Sequence, residues 1–255
     1  MAIPGAHGAI VIGIKGGVWY NAEGFDETIF MKISCIVPVY NEASRVGAVL
    51  DVLVGCELLD EVIVVNDGST DNSEEILKKR KGIKLISYHK NEGKSHAMRI
   101  GLEESKNDWV MTIDSDLEGL NRKNIEALIA PINSYKSNFA MTLRKNSLGI
   151  FKFFKLDFVS GERIFKKSMI KDLNDLEKLP GFGLEVFLNK IIIENQMKFM
   201  VVNWPNVVTP RKSVKFGFWA GIKGDFKMIL QIKSVIGLFG ILKQFWKMRL
   251  LRKFR

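Results

Sequence analysis

The chain has 255 residues, of which 47% are hydrophobic and 26% charged, and its formal net charge at pH 7 is +10. This is the composition of a globular protein with a sizeable core, and it excludes a disordered, collagen-like or coiled-coil chain. The two cysteines, Cys35 and Cys56, exclude a disulfide scaffold and favour a reducing, cytosolic compartment.

The positive charge is concentrated towards the C-terminus. Residues 211–255 contain twelve Lys or Arg and a single acid, Asp225. A basic segment of this kind indicates an anionic partner, either a membrane surface or a nucleic acid. Residues 1–30 are glycine-rich and follow neither strand nor helix periodicity, so they are predicted to be a poorly ordered extension of a domain at 31–210.

From residue 32 onward, short apolar runs alternate with segments of helical periodicity. The apolar runs predict strands at 32–39, 61–65, 83–88, 109–113, 139–143 and 199–202. Helical spacing predicts helices at 42–54, from 71 onward, and at 95–105, 121–132 and 184–194. Residues 144–182 carry several glycines and are predicted to be rich in loops. Repeated strand–helix units form a mostly parallel, Rossmann-like sheet with helices on both faces, an α/β fold.

Polar clusters follow the first four predicted strands. They are the segments 37–42 (Val-Pro-Val-Tyr-Asn-Glu), 67–71 (Asp-Gly-Ser-Thr-Asp), 91–94 (Asn-Glu-Gly-Lys) and 114–116 (Asp-Ser-Asp). Each cluster alone is equally typical of a turn or a helix cap. Because parallel sheets bind ligands beyond the carboxyl ends of their strands, four clusters on that edge indicate a binding cleft.

The acids of the last cluster, Asp114 and Asp116, have a specific chemical use. Mg²⁺ in proteins takes one or two carboxylates together with substrate phosphates. Such a metal would bridge a diphosphate and stabilise it as a leaving group. Gly93 and Lys94, just before a helix, add N–H groups and a cation for phosphate oxygens. Neither a P-loop nor a Gly-x-Gly-x-x-Gly loop occurs, which argues against a kinase or a dinucleotide dehydrogenase.

In this order, the four clusters resemble the nucleotide-sugar domain of the family 2 glycosyltransferases, which have the GT-A fold. The resemblance covers residues 31–120. It implies that Pro38, Tyr40 and Glu42 line the nucleoside pocket, and that Asp67 contacts a base, typically uracil or guanine.

The same resemblance places Lys94 near the ribose and the diphosphate. It identifies Asp114 and Asp116 as the family's Asp-x-Asp pair, with Asp116 the better ligand for Mg²⁺ or Mn²⁺.

The second half of the chain carries a weaker resemblance. Residues 160–165 (Ser-Gly-Glu-Arg-Ile-Phe) look like the Ser-Gly-x-Arg loop of polyprenyl-phosphate sugar transferases, and residues 181–186 resemble a segment shared with glucosyl-phosphoglycerate synthase-like enzymes. In both groups this region faces the acceptor. Arg163 then either grips a phosphate or forms a surface salt bridge. Glu185 is either a general base or acceptor partner, or an acid stabilised in the first turn of a helix.

Val186 follows Glu185, where inverting members of the family often carry an Asp that supplies the base. A phosphate acceptor is already an anion and needs no base, so this departure favours a phosphate-bearing acceptor.

The basic tail predicts one long amphipathic helix at 226–251, with a break at Gly237 or Gly240 as an alternative. Its last turn is predicted to carry Lys247, Arg249, Arg252, Lys253 and Arg255. An apolar face beside clustered cations is typical of an interfacial helix on an anionic leaflet. The alternative is a helix packed on the catalytic domain.

These features predict a metal-dependent glycosyltransferase. By the resemblance, the donor is a UDP- or GDP-sugar and the acceptor is polyprenyl phosphate or another membrane-associated, phosphate-bearing molecule. One alternative is transfer to a soluble phosphorylated acid such as 3-phosphoglycerate, and another is a non-catalytic membrane- or nucleic-acid-binding module. The main prediction involves no nucleic acid and places the protein in the cytoplasm, peripheral on the inner face of the membrane. Inversion or retention at the sugar stays open.

Overall fold

The structure is a computed structural model that describes residues 11–15, 18–21, 31–135, 137–177, 179, 183–210, 237 and 239–254. Two short strands, β1 (Val11–Lys15) and β2 (Val18–Asn21), form an antiparallel hairpin near the N-terminus. The rest of the predicted extension and the segment 211–236 lie outside the described residues, so the predictions for those segments stay predictions.

An eight-stranded sheet forms the centre of the protein. Its strands are β3 (Ile33–Val39), β4 (Glu61–Asp67), β5 (Lys84–Tyr88), β6 (Trp109–Thr112), β7 (Phe139–Arg144), β8 (Arg163–Lys166), β9 (Phe199–Trp204) and β10 (Arg252–Phe254). Their spatial order is β10-β9-β7-β8-β6-β3-β4-β5. Seven of these strands run in one direction, and β8 is antiparallel to both of its neighbours, β6 and β7. The predicted mostly parallel sheet is confirmed.

Helices cover both faces of the sheet. They are α1 (Val46–Val54), α2 (Ser73–Lys78), α3 (Lys94–Glu104), α4 (Arg122–Tyr135), α5 (Gly149–Phe153), α6 (Gly183–Glu194) and α7 (residues 239–251). Successive side chains of β3 point to opposite faces. Ile36 packs in one apolar cluster with α3, α6 and α7, whereas Cys35 and Val37 pack in a second cluster with α1, α2 and α4. Burial on both faces explains why the strand is a continuous apolar run.

The strand β8 is absent from the prediction, which treats residues 144–182 as rich in loops. This segment contains α5, β8 and two 3₁₀ turns, Lys167–Met169 and Leu173–Leu176. The strand has only four residues and follows Ser-Gly, a turn signal, so its pattern is too short to indicate a strand. Because β8 runs against its neighbours, its first residue lies at the same sheet edge as the carboxyl ends of the parallel strands.

Within the described residues the tail is helical up to residue 251, where the predicted helix ends. Residues 239–251 are helical, so the alternative break at Gly240 is wrong, while residues 226–236 lie outside the described part. The prediction that Arg252 and Lys253 belong to the last helical turn is also wrong. They lie in β10, which pairs in parallel with β9 and extends the sheet at its edge. Among the described residues, no helix is both long enough and apolar enough to cross a bilayer.

The packing of α3 on the sheet depends on a glycine. A Cβ atom at Gly101 would overlap the Cγ2 methyl of Ile36 on β3. We expect Gly101→Ala to lower the free energy of unfolding by about 1–3 kcal/mol, because overpacking outweighs the gain in helix propensity. Urea denaturation measures this change. Gly47→Ala on α1 is the matched control, since nothing lies within 4 Å of its new methyl group. A stabilised Gly101→Ala variant would contradict the close packing of α3 on β3.

Candidate active site

A cleft of about 960 Å³ opens at the carboxyl ends of β3, β4 and β6. This is the edge at which open parallel sheets bind ligands, and the volume lies within the range of small-molecule sites. Seven of the residues predicted from the sequence line the cleft: Pro38, Tyr40, Glu42, Asp67, Lys94, Asp114 and Asp116. The wall on the β7 side is formed by Arg144, Val159 and Thr209.

The rim of the cleft is formed by the loop after β3, which is tied to the loop after β4. Asn41 adopts a left-handed backbone conformation, with φ of 55°, that Asn tolerates better than most residues. Its side-chain oxygen accepts a hydrogen bond from the backbone N–H of Thr70 at 2.8 Å, and its own N–H donates to the hydroxyl of Ser69 at 3.0 Å. These bonds fix the positions of the adjacent Tyr40 and Glu42 at the cleft.

Asp67 at the end of β4 is buried in the cleft wall. Its carboxylate accepts hydrogen bonds from the N–H groups of Glu92 at 2.8 Å and Gly93 at 2.9 Å, and from the side-chain amide of Asn91 at 3.0 Å. The carboxylate therefore holds the turn that begins α3. This contact is additional to the base contact that the family resemblance implies for Asp67.

Lys94 is the first residue of α3 and joins three parts of the site. Its ammonium nitrogen lies 2.7 Å from Asp114 Oδ1 and 2.9 Å from Glu185 Oε1. Burial lowers the pKa of Lys94, but the charges of Asp114 and Glu185 outweigh burial and hold this pKa above its usual value. The lysine is therefore a fixed positive charge in the cleft.

Asp114 lies between two cations. Its second carboxylate oxygen, Oδ2, is 3.8 Å from the guanidinium of Arg144. Burial raises the pKa of Asp114, but Lys94 and Arg144 outweigh burial, so the pKa lies below its usual value and the group is ionised. The backbone of Gly161 passes directly beside this carboxylate, where a Cβ atom would lie 2.5 Å from Oδ2.

Arg144 at the end of β7 is the main site residue that the sequence analysis misses. It donates a hydrogen bond to the fully buried carboxylate of Glu162 at 3.0 Å and lies 3.9 Å from that of Asp157. Burial raises the pKa of both Glu162 and Asp157, against the effect of the arginine charge. Arg144 follows the predicted strand 139–143 directly, so it lies at the carboxyl end of a strand. The other polar clusters were identified by this same position, and the rule could have identified Arg144 as well.

The structure places Arg163 differently from both interpretations of its sequence motif. Its side chain is 1% exposed, so it forms no surface salt bridge. The guanidinium donates to the backbone oxygens of Phe158 and Ser160 at 2.8 and 2.7 Å, and to the side chain of Asn189 at 2.8 Å. With its donors turned to these groups, Arg163 supports the fold behind the cleft and is not presented to an acceptor phosphate.

Glu185 lies in the first turn of α6, as predicted, but its carboxylate is 1% exposed. One oxygen pairs with Lys94, and the other is buried without a hydrogen-bond partner. The side chain does not line the cleft. This geometry suits a carboxylate that positions Lys94. It does not suit a general base, which would have to contact an acceptor.

The carboxylates of the cleft suit a metal ion that is also bound by the phosphates of a substrate. Within the described ranges, no three His, Cys, Asp or Glu side chains come together as a metal-binding group. Asp114 and Asp116 do line the same cleft. Two carboxylates fit Mg²⁺ or Mn²⁺, because such ions are bound by one or two carboxylates plus substrate phosphates. Asp114 is also paired with Lys94. That Asp116 is the better metal ligand of the two stays a prediction from the family resemblance.

Comparison with known proteins agrees with this geometry. Residues 34–192 match the sequence model of the family described as glycosyl transferase family 2. The chain is similar to the undecaprenyl-phosphate 4-deoxy-4-formamido-L-arabinose transferase of Aeromonas hydrophila subsp. hydrophila, with 32% identity over 48% of this chain and 39% of the relative. It is also similar to the poly-beta-1,6-N-acetyl-D-glucosamine synthase of Staphylococcus epidermidis, with 30% identity over 40% of this chain and 29% of the relative. The chain therefore spans well under half of the length of these relatives.

Solved structures share the fold at low sequence identity. Glucosyl-3-phosphoglycerate synthase from Mycobacterium tuberculosis, in complex with Mg²⁺ and uridine diphosphate, aligns with a TM-score of 0.62 and 19% identity, covering 80% of this chain and 79% of that one. TarS from S. aureus aligns with a TM-score of 0.53 and 24% identity, covering 69% and 58%. The family match extends over more than half of the chain, and the protein belongs to glycosyl transferase family 2.

Proposed function

We propose that the protein transfers a sugar from a UDP- or GDP-sugar to a phosphate-bearing acceptor, with polyprenyl phosphate or another membrane-associated phosphate as the acceptor class. The observation that carries the proposal is the clustering of Lys94, Asp114, Asp116 and Arg144 around one cleft. These two cations and two carboxylates suit a diphosphate that carries a divalent metal ion, together with a second phosphate.

In this proposal each part of the substrate lies at its own stretch of the sheet edge. The nucleoside lies against the segment after β3 and Asp67 at the end of β4, so Pro38, Tyr40 and Glu42 form its wall. The diphosphate lies at the end of β6, next to Lys94 and the first turn of α3, where backbone N–H groups point towards anions. The acceptor lies on the far side of β6, next to Arg144 on β7.

Asp116, assisted by Asp114, would hold Mg²⁺ or Mn²⁺ in this arrangement. The metal, when bound, would neutralise the charge that develops on the departing diphosphate. Lys94 contributes a second, fixed positive charge on the same side. Glu185 keeps the lysine in place, and the burial of this carboxylate agrees with an acceptor that is already anionic and needs no base.

The names of the relatives support the acceptor class without deciding it. One curated relative is named for undecaprenyl phosphate, and solved neighbours contain phosphoglyceric acid. Activity with polyprenyl phosphate supports the proposal, whereas activity with 3-phosphoglycerate in the absence of lipid would favour the soluble acceptor. Failure of folded protein to bind any nucleotide sugar would favour a non-catalytic binding module.

The metal assignment is tested by calorimetry with UDP-glucose, UDP-GlcNAc and GDP-mannose, first with Mn²⁺ and then with EDTA. We expect Asp116→Asn to weaken the metal-dependent binding of the preferred donor at least about tenfold, because an anionic oxygen ligand is lost. Glu118→Gln, two residues along and outside the cleft lining, is the matched control and should bind as the wild type does. Unchanged metal-dependent affinity in Asp116→Asn would contradict the assignment.

The acceptor assignment of Arg144 is tested with Arg144→Lys, which keeps the charge beside Glu162 but loses the planar guanidinium. We expect the KM for the phosphate acceptor to rise about tenfold, because hydrogen bonds to a charged group are lost. Donor affinity, measured by calorimetry on the same variant, should change little. A loss confined to donor binding would instead place Arg144 on the donor diphosphate.

The role of Glu185 is tested with Glu185→Gln, which preserves shape and removes the charge next to Lys94. If the carboxylate positions the lysine, donor affinity falls about tenfold and the pH profile of kcat keeps its shape. Loss of a general base would lower kcat by about 10²–10⁴-fold with unchanged donor affinity. Steady-state kinetics at several pH values, together with donor calorimetry, separate these results.

A further inference from the structure

The helix α7 has large apolar side chains on two opposite faces. One face carries Phe245 and Met248, which are buried in the same cluster as α6. Between them and α6, the side chain of Gln244 donates to the backbone oxygen of Val186 at 3.0 Å. The helix is therefore docked on the domain through this face.

The opposite face of α7 is apolar and exposed. Its large side chains recur at helical spacings of three and four residues, and they are Phe239, Leu242, Trp246 and Leu250. Phe153 at the end of α5 is exposed as well, and the five side chains are 52–82% exposed. Only two other large apolar side chains in the described part of the chain, Tyr40 and Val54, are classed as exposed. We call the five residues Phe153, Phe239, Leu242, Trp246 and Leu250 the α5–α7 surface.

Contacts between the two helices make this a continuous surface. The ring of Phe154, next to Phe153, lies 6.1 Å from that of Trp246. The guanidinium of Arg249 stacks over both rings, 4.8 Å from the centre of Phe154 and 4.9 Å from that of Trp246. Arg252, at the start of β10, also donates to the backbone oxygen of Lys155 at 2.9 Å. The end of α5 is thus held against α7.

The surroundings of the α5–α7 surface are strongly basic. Residues 239–254 contain five Lys or Arg and residues 145–156 contain three Lys, and neither segment contains an acid. Lys243 and Lys247 are exposed on α7, each one residue after a member of the apolar stripe. Lys145, Lys152 and Lys155 line a second cavity of about 530 Å³ beside α5.

We propose that the α5–α7 surface lies on a leaflet of anionic phospholipid, with its apolar side chains in the interface and the surrounding lysines at the headgroups. An apolar stripe with Trp and Phe, flanked by cations, is the pattern of a helix that lies in the plane of a membrane. A second copy of this chain is disfavoured as the occupant, because a symmetric contact would bring its cations against one another.

The placement also orients the cleft, an inference that rests on the proposed function. The segment that carries α5 begins after Arg144 and ends before Val159, and both residues line the cleft. Contact of α5 with the leaflet would bring the Arg144 side of the cleft close to the lipid headgroups. A phosphate acceptor held in the leaflet would then enter from the side opposite to the nucleoside wall.

The test is co-sedimentation of the full chain with vesicles of pure phosphatidylcholine and of phosphatidylcholine mixed with phosphatidylglycerol. We expect binding to the anionic vesicles that weakens at high salt. The double variant Phe153→Ser, Trp246→Ser should reduce partitioning at least about tenfold, because two aromatic side chains no longer leave water. Lys243→Glu with Lys247→Glu should reduce it by a similar factor.

Matched controls remove exposed groups elsewhere. Val54→Ser on α1 and Lys123→Glu on α4 should bind vesicles as the wild type does. If the protein still binds a donor but does not bind anionic vesicles, the membrane proposal is overturned and the proposed function is not. Vesicle binding without donor binding would support the surface and overturn the proposed function. A dimer that the Phe153→Ser, Trp246→Ser variant converts to monomer, with no effect on vesicles, would assign the surface to a second copy and overturn the proposal.

Discussion

The ion pairs of Lys94 connect the parts of the cleft that come from distant stretches of the sequence. Its ammonium group joins the start of α3 to Asp114 after β6 and to Glu185 on α6, and Asp114 in turn approaches Arg144 on β7. Charges this close in a partly buried cleft interact more strongly than they would in water. The positions of the four side chains are therefore coupled, and the α3 side and the β7 side of the cleft meet at Asp114.

The group of charged side chains at and behind the cleft contains more carboxylates than cations. Five carboxylates, namely Asp114, Asp116, Asp157, Glu162 and Glu185, face three cations, Lys94, Arg144 and Arg163. Burial raises the pKa of Asp157 and Glu162, against the lowering effect of the Arg144 charge. A divalent cation would supply two positive charges, which is the excess of the five carboxylates over the three cations, so the charge balance agrees with the chemistry of the Asp114–Asp116 donor pair.

Much of the fold and of the donor side of the cleft could be predicted from the sequence, because both depend on local patterns. Apolar runs marked the parallel strands, and polar clusters at their ends placed Lys94 and Asp114 in one cleft. The acceptor side was harder to predict. Buried acids such as Glu162 contradict the usual exposure of charged residues. Arg163 is buried, and one of its partners, Asn189, is distant in the sequence. Periodicity also could not tell which apolar face of α7 is buried, because the helix has two.

Because β8 runs against its neighbours, the segment between β7 and β8 begins and ends at the same edge of the sheet. β7 ends at Arg144 and β8 begins at Arg163, both at the edge of the sheet where the cleft lies. Residues 145–162 are therefore a connection between two adjacent antiparallel strands. The main exposed part of this segment, residues 152–155, can change in length or composition without shifting the strands on either side, whereas residues 156–162 are buried. The nucleoside wall lies beyond β6 and is not part of this segment. Under the proposed function this segment borders the acceptor, so a change in its exposed part can alter the acceptor while the nucleoside wall stays the same.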